Sequence, residues 1–107
     1  MRNKVKMTTH EKLMRSPTYR RLYYVHGAGI DAAELVARFL EKENCGRDWL
    51  GEQLTRDYGI SDGKQVVNKL LSRGEVLLRD LAAMLYELGY ELKLSARKIN
   101  DKQGKIK

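Results

Sequence analysis

One cysteine and two histidines are all that this chain of 107 residues offers for thiol or metal chemistry. Cys45 alone excludes an intramolecular disulfide, and a structural zinc site would have only this thiol, His10 and His26 to draw on. Neither histidine has an acid partner at a recognisable spacing, and Cys45 has no base near it in sequence. A phosphate-cradling loop of the Walker type and a Gly-x-Ser-x-Gly elbow are both missing. No catalytic residue, cofactor or metal is therefore expected, and the chain does not read as an enzyme. Apolar runs approaching about 18 residues are absent too, as is a secretory hydrophobic segment in the charged start MRNKVKMTTHEK. A cytoplasmic protein without membrane contact is the resulting expectation.

What the chain has in excess is positive charge, with a net +7. It is unevenly placed. Residues 1–21 carry seven Lys/Arg against Glu11 alone, and residues 93–107 carry six against Asp101, so the stretch between them is net −4. Attraction to a polyanion would come chiefly from the ends, although basic tails can equally serve solubility. A chain of this length is one domain by prior. Its division reads as a basic arm at 1–15, a helical domain at 16–95 and a basic tail at 96–107.

The pattern within that domain is helical. Thr8 to Glu11 has capping-box spacing, and Ser16-Pro17 is a stronger start, with Ser as cap and Pro in the first helical position. A helix over about 17–26 follows, interrupted by Gly27-Ala28-Gly29. Asp31 and Glu34 then open a second helix to about Asn44, with Ile30, Leu35, Val36, Phe39 and Leu40 as its apolar stripe. Further helices are expected over 47–58, from 62 to 73, and from Leu77 to Leu88, where Leu78, Leu81, Ala82, Leu85 and Leu88 share one side. Tyr90 to Leu94 alternates with period two, as a short strand would, and a second copy of the chain could supply its partner.

Tyr58-Gly59-Ile60-Ser61 links two of these helices. Gly59 can adopt the positive φ that ends a helix, Ile60 provides an apolar wedge, and Ser61 can cap the next helix. Two short helices about such a turn suggest helix-turn-helix DNA binding, with the second helix in the major groove. Val66, Val67, Leu70 and Leu71 would face inward. Lys64, Gln65, Asn68 and Lys69 would then meet base edges, through amide pairing with adenine and lysine contacts to guanine. Arg47, Ser61 and Arg73 lie where phosphate contacts belong. From Ser61 to Arg73 the local charge is +2, against the acidic trend around it. Trp49 and Tyr58 could stack on bases, but at this spacing packing between helices is the more usual role.

The block LGEQLTRDYGISDGKQVVNKLLSRGEVLLRDLAAMLYELGYELKL resembles the Cro/repressor-like helix-turn-helix family, also called the XRE family, and within it the antitoxin-like members. Tyr58-Gly59-Ile60-Ser61 is similar to the family's turn, Val67 to Ser72 to its recognition helix, and Leu78 to Ala82 with Leu88-Gly89-Tyr90 to the closing helix. The stretch from Ser16 to Arg21 and the helix around Glu34 to Glu43 also resemble the antitoxins' leading extension. If Leu50-Gly51 takes the place of the family's Leu-Ala pair, the turn glycine comes about four residues late, roughly one helical turn. Asp62-Gly63 delays Val67 further. A lengthened first helix and a looser entry to the second are implied, and the base-contacting register shifts with them.

The resemblance implies an all-α, five-helix domain, with the short C-terminal strand as an option. It also implies a homodimeric regulator of transcription reading a palindromic operator in double-stranded DNA, a repressor or an antitoxin-type autoregulator with a toxin partner. The rival reading is a helical protein-interaction module without sequence-specific DNA contact, which the acidic middle favours. A weaker third is general nucleic-acid binding through the tails.

Overall fold

The structure, a computed structural model, describes residues 8–99, which form five helices and no strand. Thr8 closes a reciprocal capping box with Glu11 at the head of α1 (Thr9–Leu13). Ser16 caps α2 (Pro17–Lys42) by accepting from the Tyr19 amide, with Pro17 at the first helical position. Shorter helices follow as α3 (Arg47–Tyr58), α4 (Gly63–Arg73) and α5 (Leu78–Glu87). α3, α4 and α5 lie close to the expected segments, α1 falls within the stretch expected as a basic arm, and α2 differs from expectation.

The Gly27-Ala28-Gly29 interruption is absent: residues 17–26 and those from 30 onward belong to one helix, and Asp31 and Glu34 sit exposed in its interior rather than opening a second. Two interior glycines cost a helix roughly 0.5 to 1 kcal/mol each relative to alanine. Gly29 offsets its share by close packing, since a Cβ there would overlap the Gly74 carbonyl oxygen and lie 3.1 Å from its carbon. The loop after α4 crosses α2 where the side chain is missing.

The core lies among the last four helices. Val36 and Leu40 of α2, Leu50 and Leu54 of α3, Val67 and Leu70 of α4, and Leu81, Met84 and Leu85 of α5 are all buried, with Leu88 just beyond. Spacings of three and four residues put each helix's contribution on one face, so four amphipathic stripes converge. Leu78, expected on the inner side of α5, is instead 55% exposed at the first position of the helix, although Asp80 and Leu81 of the same turn are buried.

The strand expected at 90–94 is also absent. Its period-two pattern is nevertheless used: Tyr90 and Leu92 are half-buried against the helical core while Glu91 and Lys93 are exposed. The Tyr90 ring stacks on Phe39 of α2 with centroids 3.8 Å apart, and its hydroxyl donates to Glu43 Oε2 at 2.6 Å. That hydrogen bond, aided by desolvation, holds the Tyr90 phenol above its usual pKa. Side chains thus supply the partner that the sequence pattern sought in a second strand.

Candidate nucleic-acid interface

The candidate surface is built by the α3–α4 unit. Gly59 ends α3 in the left-handed region at φ 71°, its amide reaching the Thr55 carbonyl while the Ile60 amide reaches that of Leu54. This pair of hydrogen bonds closes the helix and turns the chain, and half-buried Ile60 packs against the core. Ser61 does not cap α4. That position belongs to Asp62, whose carboxylate accepts from the Gln65 amide at 3.2 Å. The two-residue delay after the turn moves the cap by one position and leaves Ser61 exposed on the connection.

Small residues set how closely the two helices approach. A Cβ on Gly51 would fall 2.6 Å from Lys64 Cα, and one on Gly63 would overlap the Gly51 carbonyl oxygen. Thr55 completes the contact by accepting the Gly63 amide on its Oγ1 at 3.0 Å, satisfying an amide that the start of a helix leaves unpaired. Neither link was named from the sequence. The signal was there in Gly51 and Thr55, four residues apart on one side of α3, facing a glycine at the head of the next helix.

At 100° per residue, burial of Gly63, Val67 and Leu70 turns the opposite side of α4 outward. Lys64, Gln65, Asn68, Lys69, Ser72 and Arg73 are all exposed there, and α4 itself contains no carboxylate. The four residues expected to meet bases therefore share one accessible face, and Arg73 lies at its end. Ser72, the sixth member, uses its hydroxyl to donate to the Asn68 carbonyl at 2.7 Å.

Two neighbours from α3 modify this face. Arg47, exposed at the first position of α3, donates from Nη1 to Asn68 Oδ1 at 3.1 Å, so an expected phosphate ligand and an expected base reader are joined. Glu52 stands 3.5 Å from Lys64 Nζ. Both members of that pair are at least half exposed, and such surface pairs contribute little and exchange readily.

Trp49 is 36% exposed, and Tyr58 lies away from this set. Tyr58 spans from the end of α3 to α5, donating to Glu87 Oε2 at 3.0 Å. Desolvation, then the hydrogen bond and charge of Glu87, push its phenol up to about 12. A phenol whose folded pKa exceeds its unfolded value near 10 stabilises the fold fully below pH 10, and that contribution disappears as pH rises through about 12. Urea titrations at stepped pH should show stability falling across that window, and Tyr58→Phe should make the fall shallower. An unchanged slope in the phenylalanine variant would contradict this role for Tyr58.

The two histidines and Cys45 remain apart from the surface. His10 lies within a ring cluster with Tyr19 and Tyr23, and Cys45 Sγ donates to the Glu43 carbonyl at 3.4 Å. No group of three or more His, Cys, Asp or Glu side chains able to hold a metal occurs among the described residues, and no helix there is long and apolar enough to cross a membrane. Among the described residues the secondary structure is all helical, and one helix presents a polar face without carboxylates of its own, braced by a second helix. No protein-family model, curated protein or solved structure matches the chain.

Proposed function

We propose that α3 and α4 form a helix-turn-helix of the Cro/repressor-like class and that the protein is a sequence-specific transcriptional regulator, a repressor or antitoxin-type autoregulator. The observation that carries this reading is the outward face of α4, where Lys64, Gln65, Asn68 and Lys69 are exposed together on a helix without carboxylates. In the major groove these side chains would read base edges, while Arg47, Ser61 and Arg73 would meet phosphates. The hydrogen bond from Arg47 to Asn68 supports this reading, since it would join a backbone contact to a base contact. Two copies reading a palindromic operator would set their α4 helices about one DNA turn apart, near 34 Å. In an antitoxin-type setting the same chain would also hold a toxin.

Binding to the DNA upstream of its own gene, followed by fluorescence anisotropy across a salt series, tests the reading. A helix-turn-helix should lose affinity steeply with salt, and Arg73→Ala should weaken all sequences alike while lowering the log–log slope by about 0.9. A flat salt response would overturn the proposal and favour a protein-interaction module.

A further inference from the structure

A pocket opens between α5 and the turn that ends α3. Tyr58 and Ile60 line it from the turn side, and Arg79, Asp80 and Tyr86 line it from α5. Ala82 and Ala83 complete the lining, and side chains this small leave a cavity of about 550 Å³. Small-molecule sites lie in the range of roughly 300 to 1,000 Å³. Asp80, Ala83 and Glu87, three and four residues apart, run along one flank of α5, and Tyr58 reaches that flank through its hydrogen bond to Glu87. Both tyrosines keep exposed ring surface at the opening, 42% for Tyr58 and 72% for Tyr86.

Asp80 is the unsatisfied group in this pocket. It is 8% exposed, and Gln53, the other polar residue buried among the described residues, is engaged by Arg56. Asp80 accepts no hydrogen bond among those residues, and its one partner is Arg79, whose Nε stands 3.9 Å away on a side chain 86% exposed. That distance is beyond hydrogen bonding, and so exposed a partner offsets little of the cost of burying a carboxylate. A place in the first turn of α5 favours negative charge but brings no side-chain cap bond here. Glu87 adds a second carboxylate beside Tyr58, whereas Arg56 and Asp57 pair with each other. The charge favours a cation, and the rings favour one with an apolar body.

We propose that this pocket binds a small organic cation, an ammonium or guanidinium group carried on an apolar or aromatic stem. The cationic head donates to Asp80 and displaces the exposed Arg79 guanidinium. Its stem lies along Ile60, Ala82 and Ala83, in contact with the Tyr58 and Tyr86 rings. No residue of α4 lines the pocket, so the inference goes beyond the DNA-reading proposal and stands or falls without it.

Two-dimensional NMR of the full-length protein without DNA is the test, with phenethylammonium as the probe. The amides of residues 58–60 and 79–86 should shift and saturate, with a dissociation constant of about 1 mM or tighter, as a ligand of this size can reach. The neutral 2-phenylethanol keeps the ring without the charge, and should bind at least about 10-fold more weakly. Asp80→Asn should weaken phenethylammonium by about the same factor, and Tyr86→Ala by about 3-fold. Arg79→Ala should act in the opposite sense and tighten binding by about 3-fold, because a competing cation is gone. Tyr86 and Arg79 are largely exposed, so these two variants keep the test open should Asp80→Asn misfold. No saturable shift up to about 20 mM probe, where a site of this kind would be filled, overturns the inference. So does equal binding of the alcohol, or Arg79→Ala weakening the probe. A response to N-acetylarginine amide and none to phenethylammonium also overturns it, since the occupant is then a peptide side chain.

Discussion

Gly63→Ala should lower the free energy of unfolding by about 3 kcal/mol, the upper part of the usual range for overpacking. Most overpacked sites relax by rotating a neighbouring side chain, whereas here the added Cβ meets the Gly51 carbonyl oxygen and lies 2.9 Å from the Thr55 Oγ1 that accepts the Gly63 amide. Backbone must move. Either α4 lifts from α3, losing the Thr55 bond and tightly packed Val67 and Leu70, or the strain remains. Gly27 is the internal control, because nothing lies within 4 Å of a Cβ there and its surroundings are helical. Gly27→Ala should stabilise the fold by about 0.5 to 1 kcal/mol. Urea denaturation of the two variants should move the midpoint in opposite directions. Equal shifts would mean that the α3–α4 approach is looser than these contacts imply.

Replacing Lys64, Gln65, Asn68 and Lys69 together with alanine should abolish preference for an operator and lower specific affinity by at least about 100-fold. Each good base contact contributes on the order of 1 to 3 kcal/mol of discrimination, so even two true contacts among the four would produce this loss. The fold should be untouched. All four side chains are exposed, and alanine is the best helix former, so a destabilised variant is not expected. The pairs within the set separate two effects. Gln65→Ala with Asn68→Ala should erase sequence preference at an unaltered salt slope, whereas Lys64→Ala with Lys69→Ala should lower the slope too. Lys64 should contribute less than Lys69, because Glu52 stands beside it. Gel shifts on matched and scrambled DNA, with circular dichroism as the folding check, read all of these.

The elements that were legible in the sequence share a cause. For α3, α4 and α5, an apolar stripe at helical spacing is bounded by glycine at one or both ends, and the glycines that follow their C-terminal ends, Gly59, Gly74 and Gly89, do take positive φ. Local rules sufficed. They failed where a distant group decided the outcome. Gly27-Ala28-Gly29 looks like a break, but Gly29 is where Gly74 crosses, and no local rule encodes that crossing. Tyr90 to Leu94 has the period of a strand, yet Phe39, Glu43 and the helical core use that period without a second strand. At the candidate site, the outward set of α4 follows from helical period alone. The Arg47–Asn68 and Glu52–Lys64 pairs do not, since they depend on the α3–α4 approach that Gly51 and Gly63 set. Ser61 was the expected cap, and Asp62 takes that place because the two added residues start α4 one position later.

The central claim is that the outward face of α4 reads DNA. Selection from a pool of random duplexes by the full-length protein, repeated with the four-alanine variant, tests it most directly. The parent should enrich a two-fold symmetric sequence whose half-sites lie about 10 base pairs apart or a multiple of that, and the variant should enrich none. A parent that enriches no sequence, or a variant that enriches the same one, would contradict the claim.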